Sequence, residues 1–519
     1  MEQVRQFPVG IQSFEVLRTQ GCLYVDKTAL IYQLASTYSP YFLSRPRRFG
    51  KSLLLTTFKA YFEGRKDLFE GLAISGLETK WEQYPVLFLD LNAETYDSVA
   101  SLEAILSSNI RRWEDVFGKD DRDDTLSRRF EGIIRRAYEK TGKRVVVLID
   151  EYDKPMLSAL LNEQLSKDYR IIMKAFYGVL KSSGQYLRFV FLTGVTKFAQ
   201  VSVFSDLNHL VDISLKKNYV TLCGITKNEL MQYFTPELNI LADQQEMTFD
   251  EAVANIAKKY DGYHFAPHTE GMFNPFSVLN ALNFSDFDNY WFQTGTPTYL
   301  VNLLKESDYD LRLLLDGISV QPSDFAEYRA DVNNPIPMIY QSGYLTITGY
   351  DKKYNTYTLG FPNEEVRYGF LHFLMPYYTA VTNGTGSFHI TNFCKEIEAG
   401  DTEAFMERLK VFFAGIPYQL NNKNEKHYQA IFYVIFTLIG QYIEAEVSSA
   451  KGRADAVVKT KDYIHVFEFK LDGTAEEALR QIDETGYLIP YQLDGRKLIK
   501  VGVEFSKKER NIHRFLTGE

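Results

Sequence analysis

Four apolar runs set the rhythm of the N-terminal part of the chain: Tyr41-Phe42-Leu43, Val86-Leu87-Phe88-Leu89, Val145-Val146-Val147-Leu148-Ile149 and Phe189-Val190-Phe191-Leu192. Continuous β-branched and aromatic runs suit strands buried on both faces of a parallel sheet, where one-sided burial would give alternation. Each run ends in polar or small residues: Ser44-Arg45, Asp90, Asp150-Glu151 and Thr193-Gly194. Between them lie an apolar-periodic segment ending at Gly64, a charged helical stretch over 101–141, and Pro155, well suited to the first turn of a helix. Strands alternating with helices, with polar tips, predict a doubly wound α/β domain. Residues 225–305 turn helical and aromatic-rich, around Tyr260-Asp261-Gly262-Tyr263. Over 335–375 a short helix, a strand, a charged tip (Asp351 to Asn355) and a second strand follow the order of a winged helix. Such modules bind DNA or simply pack; with two lysines at the tip, packing is the expectation.

Ligands in parallel sheets sit at the C-terminal strand ends, so the polar tips carry the candidate chemistry. The first run leads through a basic turn to Gly50-Lys51-Ser52 and a helix, the layout of a phosphate-binding loop. Amide N–H groups at the helix start would face phosphates, Lys51 would add a point charge, and Ser52 a hydroxyl on Mg²⁺. Arg45 stands where the G-x-x-x-x-G-K-[ST] pattern has its first glycine. A basic turn capping a core helix is the plain alternative, and the carboxylates after the third run weigh against it. Asp150 is placed to hold Mg²⁺, and Glu151 to orient and deprotonate an attacking water. Arg47 or Arg48 would lie near a γ-phosphate. Thr193 and Thr196 would sense it or make local turn bonds. Tyr24 to Lys27 would lie beside a base or under the sheet.

The last hundred residues carry a second pattern. An apolar-faced helix from Glu425 precedes Ile443 to Val447 and the hairpin Gly452-Arg453-Ala454-Asp455 … Val466-Phe467-Glu468-Phe469-Lys470. A two-residue loop at Lys461-Asp462 puts Asp455 opposite Glu468, and alternation puts Lys470 on the face of Glu468. Two carboxylates can hold Mg²⁺ or Mn²⁺, and a lysine beside them can position the water that attacks a phosphodiester. A cross-strand charge pair is the alternative, but the flanking apolar residues favour a cleft. A one-residue slip would separate the three.

Composition narrows the setting. With 519 residues, two to four domains are expected. A 45% hydrophobic and 24% charged make-up is that of an ordinary globular protein. The net charge of −9 gives no global signature of nucleic-acid binding, although a local basic groove is compatible with it. Cys22, Cys223 and Cys394 form neither a metal spacing nor a disulfide framework, which fits the cytoplasm. MEQVRQFPVG has no apolar core of a signal peptide, and the apolar run Ala430 to Gly440 is too short to span a bilayer. No membrane partner is expected.

Residues 425–519, with the order α-β-β-β-α-β and D-x12-E-x-K, resemble the PD-(D/E)XK nuclease superfamily. The resemblance implies Asp455 and Glu468 as metal ligands, Lys470 as catalytic lysine, Glu425 as a helix-borne acidic partner and Gln481 as an accessory residue. The eponymous proline is replaced by Ala454. Together, Arg45-Pro46-Arg47-Arg48-Phe49-Gly50-Lys51-Ser52, Leu148-Ile149-Asp150-Glu151-Tyr152-Asp153 and Phe191-Leu192-Thr193-Gly194-Val195-Thr196-Lys197-Phe198 resemble the bacterial AAA-ATPase-like family. Asn274-Pro275-Phe276-Ser277 and Tyr290-Trp291-Phe292 fit it too. That family commonly joins an ATPase-like part to a PD-(D/E)XK nuclease-like domain.

The resemblance implies a P-loop core over 1–224, a helical lid over 225–305, a winged-helix-like module over 306–378, a helical connector over 379–424 and the nuclease-like domain over 425–519. ATP and Mg²⁺ are the expected cofactors, with Arg47, Arg48, Phe49, Gly50, Lys51, Ser52, Asp150 and Thr193 around them. DNA is expected before RNA as partner, and a homo-oligomer is compatible with the family. The expected activity is ATP hydrolysis coupled to a Mg- or Mn-dependent deoxyribonuclease, in defence against foreign DNA or in repair. The alternative is a nucleotide-dependent switch or scaffold whose nuclease fold binds without cutting. A small-molecule kinase is weaker, since it leaves the C-terminal pattern without a use.

Overall fold

The computed structural model describes residues 5–37, 39–92, 95–160, 162–197, 210–293, 300, 303–304, 314, 317–325, 334–378, 383–414, 425–440, 443–447, 454–471, 473–506, 508–509 and 511–519. Phe198 and Gly452-Arg453, quoted above, lie outside the described residues, as does the side chain of Glu425. The chain forms two compact units, one of residues 1–307 and 319–365, the other of 308–318 and 366–519.

In the first unit, β1 (Pro40–Ser44), β2 (Val86–Asp90), β3 (Val145–Asp150), β4 (Leu187–Gly194) and β5 (Val211–Asp212) form one sheet in the order β2-β3-β4-β1-β5. All four pairings are parallel. Every residue of β3 is buried, as its unbroken apolar run requires. Phe58 and Phe62 of the helix Lys51–Phe62 cover one face against Phe189, with ring centroids 5.1 and 5.0 Å apart. Phe42 points to the other face and meets Tyr152 edge-on at 5.4 Å. The charged 101–141 stretch is two helices, Val99–Phe117 and Leu126–Thr141, whose apolar stripes are buried. Phe130 of the second stacks on Phe176 at 4.5 Å.

Downstream come the helices Lys227–Gln244, Phe249–Tyr260 and Pro275–Phe284. Asn274 caps the last through bonds to the amides of Phe276 and Ser277, and Pro275 fills its first turn. Gly262 has φ +98°, and a Cβ there would lie 2.0 Å from the carbonyl oxygen of Pro362. Only glycine lets those two backbones meet. The helix Ile336–Gln341 and the hairpin Thr346–Asp351/Thr356–Gly360 follow in the order read from the sequence. Asn355 turns the tip at φ 52°.

The second unit holds a five-stranded sheet, in spatial order Asn511–Gly518, Lys497–Ser506, Tyr463–Leu471, Ala456–Lys459 and Glu444–Val447. Ala456 stands opposite Phe467 and Lys459 opposite Ile464, the register that the two-residue loop requires. One face carries Phe467 and Phe469, which pack on Phe436 and Phe432 of the helix Glu425–Ile439 at 4.9 and 4.2 Å. Val457, Ile464 and Val466 form a core with Ile482 of the helix Ala475–Thr485. That helix lies so close that a Cβ on Gly502 would come within 2.4 Å of the Ala475 carbonyl oxygen. Among the described residues, no helix is long and apolar enough to cross a membrane.

Candidate functional site

The loop after β1 turns sharply through two left-handed residues, Arg48 (φ 66°) and Gly50 (φ 89°), before the helix starts at Lys51. Lys51 is 4% exposed. Its ammonium donates to the carbonyls of Arg45 (3.2 Å) and Pro46 (3.3 Å) and lies 3.6 Å from the Glu151 carboxylate. Glu151 is a non-glycine residue at φ 51°, a conformation that costs on the order of 1–2 kcal/mol. The turn aims its carboxylate back at Lys51.

Strand order decides what sits between the loop and the acidic tip. β4 separates β1 from β3, so Thr193 falls between them. Its hydroxyl donates to Asp150 Oδ1 at 2.6 Å. Burial, then the neighbouring Glu151 charge, raises the Asp150 carboxyl above its usual range. Hydrogen bonds from Ser52 and Thr193 and the Lys51 charge pull it back down. Ser52, Asp150 and Thr193 thus form one contiguous polar group beside the helix N-terminus.

Sequence reasoning missed Asp153. It is fully buried, and its Oδ2 accepts from the amides of Val195 (3.0 Å) and Thr196 (2.6 Å) and from the Thr196 hydroxyl (2.7 Å). Burial, followed by the Glu151 charge, raises it to about 6. Thr196 is therefore tied to Asp153, which braces the end of β4 against the end of β3. A Cβ on Gly194 would lie 2.4 Å from Asp153 Oδ1, so the residue directly after Thr193 must be glycine-sized. A second carboxylate two residues beyond Glu151 was the available signal.

Arg47, Arg48, Gly50, Lys51, Ser52 and Glu151 all line an open cleft of about 320 Å³, within the range of small-molecule sites. The Arg48 guanidinium lies 4.9 Å over the Phe276 ring. The Phe49 ring is turned away, 1% exposed and edge-on to Tyr263 at 4.8 Å, so toward the cleft it can offer its backbone. Asn92, beyond the polar end of β2, and the segment 8–12 complete the walls, neither of them singled out by motif. An apolar pocket of about 100 Å³ shares Gly50, Leu53 and Leu279 with the cleft and is lined by Leu23, Tyr24 and Val25. Tyr24 also packs edge-on to Phe14 at 5.2 Å, so the 24–27 stretch both packs and faces the pocket. Lys27 is held by both oxygens of Glu229 at 2.5 and 2.6 Å.

In the second unit the hairpin register brings Asp455 beside Glu468. Asp455 Oδ2 accepts from the Phe469 amide at 2.8 Å, and Lys470 donates to Glu468 Oε1 at 3.1 Å. Gln481, on the helix Ala475–Thr485, accepts a close hydrogen bond from Lys470 and donates to the Tyr487 hydroxyl at 3.3 Å. Glu468 is 3% exposed, and among the described residues its Oε2 has no hydrogen-bond partner. Burial and then the Asp455 charge raise its carboxyl to about 7, with Lys470 acting in the opposite direction. An orphaned buried carboxylate oxygen next to a second carboxylate fits a divalent cation. Among the described residues, no group of three His, Cys, Asp or Glu side chains forms a metal cage. Glu425 begins the helix that covers the Phe467/Phe469 face.

A family model described as a predicted AAA-ATPase matches residues 8–204, and one for the PD-(D/E)XK nuclease superfamily matches residues 423–515. An uncharacterized protein in the vnfD 5′ region of Azotobacter chroococcum mcd 1 is 33% identical over 529 aligned positions, covering 99% of this chain and 98% of that protein. Among solved structures, the Aeropyrum pernix ORC2 protein (ADPNP-ADP complexes) aligns at 12% identity and a TM-score of 0.23. The alignment covers 67% of this chain and 88% of that one.

Proposed function

The chain belongs to the AAA-ATPase-like family and carries a PD-(D/E)XK nuclease superfamily domain, and from that premise we propose an ATP hydrolase coupled to a metal-dependent deoxyribonuclease. The observation that carries the first half is the convergence of Lys51, Ser52 and Glu151 in one cleft, with Lys51 3.6 Å from Glu151 and the buried Asp150 carboxylate hydrogen-bonded to Ser52. Helix-start amides and Lys51 hold the phosphates, and Arg47 or Arg48 approaches the terminal one. Ser52 and Asp150 are the residues that would hold Mg²⁺, which when bound supplies charge neutralisation of the phosphates. Glu151 orients the attacking water and takes its proton, and Thr193 carries the state of Asp150 to β4. The base occupies the apolar pocket by Leu23 and Val25.

In the second unit Asp455 and Glu468 are the residues that would hold Mg²⁺ or Mn²⁺, which when bound would supply Lewis-acid activation of a phosphodiester. Lys470, oriented by Gln481, positions the attacking water. We assign 1–224 to the core, 225–305 to a lid, 306–378 to a packing module of winged-helix type, 379–424 to a connector and 425–519 to the nuclease-like domain. The cytoplasm is the setting, foreign or damaged DNA the substrate. A second reading, binding without cutting, draws on one observation: the Lys470 ammonium is already divided between Glu468 and Gln481.

Glu151→Gln tests the assignment of the base. It should bind ATP and hydrolyse it about 10²- to 10⁴-fold more slowly than wild type. Hydrolysis at the wild-type rate would remove Glu151 from that role.

A further inference from the structure

The basic turn Pro46-Arg47-Arg48 brings two cations to the wall of the cleft, and its backbone is strained. Arg48 is a non-glycine residue at φ 66°, a left-handed conformation that persists only where the surroundings enforce it. Trp291 enforces it. The indole Nε1 donates to the Arg47 carbonyl at 3.2 Å, and that carbonyl belongs to the peptide plane between the two arginines. Holding this plane constrains ψ of Arg47 and φ of Arg48 together. Gly343, at φ +92°, lets the turn close down: a Cβ there would lie 2.5 Å from the Pro46 side chain and 3.6 Å from the Trp291 indole.

Trp291 is held in its turn by Glu365. The Trp291 backbone amide donates to Glu365 Oε1 at 2.7 Å, and the Ser277 hydroxyl donates to Oε2, also at 2.7 Å. Ser277 follows Phe276, whose ring lines the cleft and lies 4.9 Å from the Arg48 guanidinium. One carboxylate thus reaches both arginines, through Trp291 on one side and through Ser277 and Phe276 on the other. Glu365 is 1% exposed, and burial raises its carboxyl to about 7 against the pull of the Trp291 and Ser277 hydrogen bonds. Burying a carboxylate is costly, and an apolar side chain would fill the space without that cost. What the carboxylate adds is two oxygens at a fixed spacing, each spent on a different support of the basic turn.

We propose that Glu365 is the positioning residue of the basic turn, holding Arg47 and Arg48 toward the phosphate chain so that an arginine meets the terminal phosphate. This role presupposes a nucleotide in the cleft, as proposed above, and adds the residue that sets discrimination between triphosphate and diphosphate. Glu365 does not line the cleft; it acts through the two arginines.

Equilibrium dialysis of the full-length protein with ADP and with a non-hydrolysable ATP analogue measures the ratio of the two affinities. Glu365→Ala should lower the triphosphate preference about tenfold, the loss of a charge-assisted hydrogen bond to phosphate. Trp291→Phe removes the indole N–H and Ser277→Ala one hydroxyl. Each should lower the ratio several-fold, which keeps the test decisive if Glu365→Ala does not fold. In Arg47→Ala/Arg48→Ala protein none of the three changes should move the ratio further, a non-additivity that general damage to the fold would not produce. Equal losses of ADP and triphosphate affinity, or a further fall of the ratio without the arginines, would overturn the positioning role alone. Nucleotide binding that is absent from wild type, or that Lys51→Ala leaves intact, would overturn the cleft as a nucleotide site and this role with it.

Discussion

Replacing Glu468 by Gln probes the second unit through its own electrostatics. The folded carboxyl sits at about 7 against a reference of 4.5, raised first by burial and then by Asp455. A raised acid binds its proton more tightly folded than unfolded, so its contribution to stability is complete below pH 4.5 and is lost as pH rises through 7. At about 1.36 kcal/mol per pH unit, ionising Glu468 costs the metal-free fold about 3 kcal/mol by pH 8.5. The Glu468→Gln side chain fills the same space without the charge. Trp81, Trp113 and Trp291 all lie in the first unit. The second is therefore best followed by amide hydrogen exchange of the strand Tyr463–Leu471. In EDTA, the opening free energy of that strand should fall by about 3 kcal/mol more in wild type than in Glu468→Gln between pH 5 and 8.5. Mn²⁺ at high pH should restore protection in wild type alone, because a cation bound to the folded state stabilises it and the neutral amide of Glu468→Gln cannot hold that cation. Parallel pH profiles for the two proteins would refute the electrostatic argument. Equal Mn²⁺ protection in both would refute the metal site.

Three further outcomes are expected. Lys51→Ala should abolish measurable ATP binding by equilibrium dialysis while leaving the far-ultraviolet dichroism unchanged, since its ammonium serves the loop and the cleft. His465 is fully buried with neither ring nitrogen partnered among the described residues, and burial lowers it to about 4. Its stabilisation is present above pH 6.5 and fades as pH falls toward 4, so His465→Phe should flatten the acid limb of the second unit's unfolding by about 3 kcal/mol. Gly262→Ala should cost the first unit roughly 3 kcal/mol or more in urea unfolding, since positive φ and the Pro362 carbonyl both oppose a side chain.

The P-loop and the hairpin were legible because their information is local. A strand, a Gly-Lys-Ser turn and an amphipathic helix are contiguous, and a two-residue loop at Lys461-Asp462 sets the register that puts Asp455 by Glu468. What stayed hidden depends on distant partners. Arg45 reads as a basic residue of the P-loop, yet Phe265, Ser214 and Tyr219 hold it away from the cleft. Phe49 sits inside the same motif, and its ring goes to Tyr263 and the core. Thr193 and Thr196 look equivalent in sequence, but the strand order gives the first to Asp150 and the second to Asp153. Packing over hundreds of residues makes those choices, and no spacing rule encodes them.

The proposed function requires a nucleotide at Lys51 to govern chemistry at Lys470. The direct measurement is cleavage of supercoiled, linear and single-stranded DNA and of RNA by the full-length protein with Mn²⁺, with and without ATP, beside Lys51→Ala and Lys470→Ala. Cutting should disappear in Lys470→Ala and should no longer respond to ATP in Lys51→Ala. Cutting that survives Lys470→Ala would contradict that requirement, and so would ATP-dependent cutting that Lys51→Ala leaves untouched.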